Sequence, residues 1–143
     1  MAEYVELAGP QTVNPSNNVV LLDSIPCNKG YVIHRNDSGI LTLKGRSCGC
    51  QQFARYLVEY HGNIAIPTGG TPGEISLAMA IGGEVVPATI AKATPTVVNA
   101  YWSVSSARFI TVPIGCCYNL AIENNSDQAI LVDNLNVIVS RTA

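Results

Sequence analysis

From residue 53 onward the chain alternates between apolar and polar positions. Over 53–66, Ala54, Tyr56, Val58, Tyr60, Ile64 and Ile66 share one parity, while Arg55, Glu59, His61 and Asn63 share the other. That two-residue period predicts a half-buried strand, with a break at Gly62. Ile75, Leu77, Met79 and Ile81 repeat the pattern, and Gly82-Gly83 predicts a tight hairpin turn into a strand over 84–91. Segments 97–104 and 108–112 predict two more strands joined at Ser105-Ser106. A terminal hairpin follows: one arm over 116–123, a turn at 124–127, and a return arm over 129–139. In that return arm Leu131, Leu135, Val137 and Val139 form the dry face, with Asn134, Asn136 and Ser140 opposite. The first third is choppier. Short strands over 4–7, 19–22, 31–34 and 40–43 are separated by loops rich in Pro, Gly and Asn.

No segment sustains a 3.6-residue apolar period, and β-branched residues crowd the apolar positions. The expectation is therefore an all-β chain, an antiparallel β-sandwich or barrel of about ten short strands forming one domain over 1–143. A terminal strand as apolar as 129–139 needs cover, from a second sheet or from another copy. Composition sharpens that point. Charged residues are 13% of the chain against 48% hydrophobic, about half the usual charged share of roughly a quarter. Such a surface favours self-association. A net charge of −2 leaves no basic stripe to attract nucleic acid or an anionic membrane. No run approaches the roughly 18 apolar residues of a spanning helix. The acidic start, Met1-Ala2-Glu3, lacks the form of a secretory leader and implies synthesis in the cytoplasm.

Candidate chemistry is sparse. Glu59 and His61 share a strand face, but the only other histidine is His34 and there is no nucleophile elbow, so no triad can be built. The chain is read as non-enzymatic and without a cofactor or metal. Thr68, Gly69, Gly70 and Thr71, bracketed by Pro67 and Pro72, form an exposed loop that is the candidate binding loop for a surface glycan. Tyr56, Tyr60, Tyr101 and Trp102 are either sugar-stacking rings or core. The oxygen-bearing run Asn124, Asn125, Ser126 and Asp127, with Asp133 and Asn134, matches no calcium-loop spacing and reads as turn. Cys27, Cys48, Cys50, Cys116 and Cys117 form a possible thiol or disulfide cluster; their spacing fits zinc poorly. One bond between Cys27, Cys48 or Cys50 and a member of the adjacent pair competes with five reduced thiols. The other member of that pair is expected to be a small buried hydrophobe.

The motifs at 30–35 (GYVIHR), 38–45 (SGILTLKG), 53–58 (FARYLV), 64–70 (IAIPTGG) and 112–117 (VPIGCC) resemble a family of small proteins of Gram-positive gut bacteria and their prophages. The later half also resembles the tumour necrosis factor-like jelly roll shared with complement-type globular heads and spore-surface glycoprotein tips. The resemblance implies a jelly roll of about ten strands that assembles as a homotrimer. It also implies a structural role at the virion surface, as a capsid decoration or head-fibre protein whose partners are capsid or fibre proteins. The alternative is a carbohydrate-binding head or adhesin. Tyr118, Leu120, Leu135 and Val137 of the later strands are the expected contacts near the threefold axis.

Overall fold

The computed structural model describes residues 2–5, 10–21, 23–26, 31–34, 38–45 and 52–142. Among the described residues twelve strands stack as two six-stranded sheets. The first sheet runs β10 (Trp102–Pro113), β6 (Phe53–Ala65), β12 (Ile130–Arg141), β1 (Ala2–Val5), β3 (Asp23–Pro26), with β2 (Gln11–Val13) beside the start of β12. The second runs β4 (Val32–His34), β5 (Leu41–Lys44), β11 (Cys117–Asn124), β7 (Ile75–Ile81), β8 (Glu84–Val85), with β9 (Ala91–Ala93) also paired to β7. All strand pairs are antiparallel. This is an antiparallel sandwich, as the alternation allowed, with the two-sheet arrangement that the resemblance to a jelly roll implied, and its core is a single cluster drawn from the inner faces of both sheets.

The terminal hairpin is a correction. β11 lies in the second sheet and β12 in the first, so the turn between them carries the chain across the sandwich. The same crossing occurs between β6 and β7 and between β10 and β11. Alternation within a strand shows that one face is dry, but not which neighbour pairs with it. Leu120, Leu135 and Val137, expected at a threefold axis, are fully buried inside one chain's sandwich, and Tyr118 packs half-buried against that core. They are core residues because their strands face each other across the sandwich.

The inward parity of β12 also differs from the alternation. Ile130 and Val132 point inward, then Leu135, Val137 and Val139, while Leu131 is only half-buried. Between the pairs Asp133↔Asn63 and Asn136↔His61 the register shifts. Asn134 and Leu135 together oppose Gly62 there, which is a β-bulge. Asn134 takes a φ of 55°, a left-handed conformation that asparagine tolerates better than most residues. Gly62 does not break β6. A Cβ there would lie 2.8 Å from Leu135 Cδ1 and 3.3 Å from its Cα, so the glycine lets the bulge sit down.

Other differences have equally local causes. Ser105 and Ser106 pair with His61 and Tyr60 in the middle of one continuous strand, not in a turn. Gly82 and Gly83, with φ of 61° and 86°, make the expected turn, but β8 ends at Val85 and a 3-10 turn, Pro87–Thr89, follows before β9. Thr89, buried there, accepts a hydrogen bond from the Met79 amide (2.9 Å) and donates to the Val86 carbonyl (2.7 Å). Residues 19–21 are not strand. The Gln11 side chain satisfies both the amide and the carbonyl of Val20 at 2.9 Å, while Val19 bonds to Ile122.

Two phenols tie the sheets together. Tyr56 points its hydroxyl at the carbonyls of Lys44 (2.5 Å) and Tyr31 (3.2 Å), and Tyr60 at those of Thr89 (2.7 Å) and Leu77 (3.1 Å). Burial holds the pKa of both above the ordinary 10.0, more so for Tyr60; beside Tyr56 the Arg141 charge opposes the rise. The folded state keeps these protons where the unfolded chain would lose them. Stability from the neutral phenols is therefore complete below pH 10.0 and falls as pH rises above it. In alkaline titration followed by phenolate absorbance, Tyr56 and Tyr60 are expected to ionise only with loss of the strand signal; Tyr60→Phe should remove one of these late protons. For the bulge, Gly62→Val should cost about 2 kcal/mol or more in urea unfolding by overpacking against Leu135, while Asn134→Gly, which suits the left-handed conformation, should cost almost nothing.

Candidate functional site

One end of the sandwich carries three loops in contact. The loop over 67–74 meets the loop over 125–129, and also the one over 94–101, where the Asn99 side chain donates to Thr68 Oγ1 at 3.0 Å and the Asn99 amide to the Ile66 carbonyl at 2.7 Å. Between residues 71–76 and 125–128 lies an open cleft of about 700 Å³. Buried Asn124 anchors it, donating to the carbonyls of Val13 and Gln128, both at 2.9 Å, and accepting the Ser126 amide at 2.8 Å. Thr71 lines this cleft. The sequence pointed to Thr68, Gly69, Gly70 and Thr71, of which the first three do not line the cleft, and it missed the opposite wall because Asn125, Ser126 and Asp127 read only as turn formers and Gln128 carried no signal.

The aromatic candidates separate. Tyr56 and Tyr60 are core, whereas Tyr101 (42% exposed) and Trp102 (49% exposed) are accessible. Trp102 opens β10 and Tyr101 precedes it in the loop over 94–101. Burial raises the Tyr101 phenol, with the nearby Asp133 charge adding to it.

The outward face of the first sheet is a second candidate. Across β10, β6 and β12 the register sets Phe109 opposite Leu57 and Ser140, and Ala107 opposite Glu59 and Ile138. Phe109 is 59% exposed, with half-buried Leu57 opposite it and half-buried Ile138 diagonal to Leu57 on β12, next to exposed Glu59. Farther along, a hollow of about 280 Å³ is walled in part by Glu59, His61, Ser105 and Asn136. The strand that alternation predicted over 108–112 contains Phe109 on the parity of Ala107 and Thr111, a large ring on the wet face. That misplaced ring was the available signal for this surface.

The third feature is the turn into β11. Gly45 donates its amide to the Cys116 carbonyl (2.9 Å), Ile114 to Gln52 (2.9 Å), and Cys116 to Pro113 (3.1 Å). Cys116 and Cys117 are free thiols and both are exposed, which corrects the expectation that one is a buried hydrophobe. Cys116 lies in the turn and Cys117 opens β11 opposite Lys44, at the end of the strand where neither position is covered. Cys27, Cys48 and Cys50 lie outside the described residues. Among the described residues no group of three or more His, Cys, Asp or Glu side chains is placed to hold a metal ion.

No protein-family model and no curated protein matches the sequence. Solved structures do match in fold. Eiger TNF from S. frugiperda superposes with a TM-score of 0.70 at 12% identity, covering 99% of this chain and 90% of that one. Murine APRIL gives 0.65 at 11% identity, covering 97% of each. The globular domain of zebrafish complement 1qA gives 0.62 at 11% identity, covering 96% and 94%. The chain therefore has the jelly-roll fold of TNF- and complement 1q-type domains. At these identities the likeness is one of fold.

The exposed dithiol yields a direct expectation. Native protein without denaturant should show at least the two fast thiols of Cys116 and Cys117 when titrated with an aromatic disulfide reagent. The Cys116→Ser, Cys117→Ser double variant should lose that fast phase; an unchanged phase would show that both are covered.

Proposed function

We propose that this chain is a non-enzymatic structural module that assembles as a homotrimer through the outward face of its first sheet. The observation that carries the reading is the exposed Phe109 ring standing on that face opposite Leu57, with Ile138 diagonal to Leu57 on the next strand, apolar surface that a single chain leaves wet. The low charged fraction supports self-association, and the resemblance to tumour necrosis factor-like jelly rolls implies three copies. The resemblance of the sequence motifs to those of prophage-encoded proteins extends the proposal to a place on the virion surface, as a capsid decoration or head-fibre protein held by capsid or fibre proteins and made in the bacterial cytoplasm.

Light scattering should give three times the 15.1 kDa chain mass at micromolar concentration. Phe109→Asp should weaken assembly by about a hundredfold, since it buries an unpaired carboxylate in a dry contact, yet leave the strand spectrum of the monomer intact. A monomeric wild type, or a trimer indifferent to Phe109→Asp, would remove this interface. Mass spectrometry of purified particles tests the virion assignment separately.

A further inference from the structure

We infer that the cleft between residues 71–76 and 125–128 is a saccharide site, taking a neutral or amine-bearing hexose unit of a surface glycan. Its floor is built before any ligand arrives. The Ser76 amide donates to Ser126 Oγ (2.8 Å), the Asn125 amide donates to the Ser76 carbonyl (3.1 Å), and Ser76 Oγ donates to the Asn125 carbonyl (3.3 Å). Its wall is clipped in both directions, since the Thr71 amide donates to Gln128 Oε1 (3.0 Å) and Gln128 Nε2 donates to the Thr71 carbonyl (2.8 Å). Preorganisation of this kind lowers the ordering cost that usually weakens the binding of small polar ligands.

The lining selects the chemistry. No aromatic ring and no aliphatic side chain larger than Pro72 faces the cleft, which excludes lipids and nucleobases. Its charged lining groups are two carboxylates, Glu74 and Asp127, which repel phosphate, sulfate and acidic sugars. Among the described residues Glu74 meets only Lys92, at 3.6 Å across an exposed pair that a ligand can displace at little cost. Asp127 has no hydrogen-bond or ion-pair partner among the described residues. A carboxylate held open beside backbone and hydroxyl groups suits a vicinal diol, which donates two hydrogen bonds to its two oxygens. A cleft of about 700 Å³ holds one or two sugar rings. The site lies at the loop end and does not depend on the proposed trimer face.

Amide chemical-shift titration of the assembled protein with galactose, N-acetylglucosamine and glucosamine, each to about 50 mM because single sugars bind at millimolar strength, tests the assignment. At least one should produce saturable shifts confined to residues 71–76 and 125–128. Asp127→Asn, on an exposed turn, should weaken binding about tenfold through loss of the charge-assisted bonds, with the rest of the spectrum unchanged. N-acetylneuraminate and inorganic phosphate should produce no shift. The inference fails if none of the three sugars shifts the cleft, if shifts centre on Tyr101 and Trp102, if Asp127→Asn has no effect, or if calcium chloride or phosphate alone gives the same pattern.

Discussion

The bulge opposite Gly62 is the constraint on which the first sheet depends. β12 lies at the middle of that sheet, pairing with β6 on one side and with β1 and β2 on the other. A regular strand of its sequence would turn either Ile130 and Val132 or Leu135, Val137 and Val139 toward solvent, because a slip of one residue reverses every side chain. Placing two residues against one resolves the conflict and keeps five apolar side chains on the dry side. The cost is a left-handed Asn134 and a position on β6 with no room for a side chain.

Around that strand, polar groups do much of the joining between layers. The hydroxyls of Tyr56 and Tyr60 rise from the first sheet and end on backbone carbonyls of the second sheet and its connecting turn. Each satisfies a buried acceptor that would otherwise cost about 1 to 3 kcal/mol. Asn124 does the same at the loop end, drawing the start of the chain and the turn before β12 onto one amide. Interior bonds of this kind are directional, so they fix how the sheets sit over each other, where apolar packing alone would tolerate sliding.

Much of this was legible in the sequence. Two-residue alternation located β6, β7, β11 and β12 and showed that the chain is all-β, since dry and wet faces print directly onto side-chain order. Alternation is blind to partners, however. It could not show that β11 and β12 belong to different sheets, and so it assigned Leu120, Leu135 and Val137 to a contact between copies when each already had cover within its own chain. It was equally blind to side chains standing in for backbone, as Gln11 does for Val20. Of the cleft, only Thr71 belongs to the four residues Thr68 to Thr71 read from the sequence as a binding loop. Its other wall comes from residues about fifty positions away, brought there by the Gln128 amide.

The crossing of the chain between sheets after β6, β9, β10 and β11 has a consequence for how the protein is made. β1 pairs with β12, Ala2 against Val139, and β6 receives its second neighbour only when β12 exists. A ribosome that has delivered β1 to β11 has released strands of the first sheet with an empty place at their centre. The nascent chain must hold those apolar edges open until β12 emerges, a long-range closure that folds slowly. Waiting strands of this kind invite pairing with neighbouring chains, so crowded translation of this message, more than instability of the finished sandwich, is where aggregation would begin.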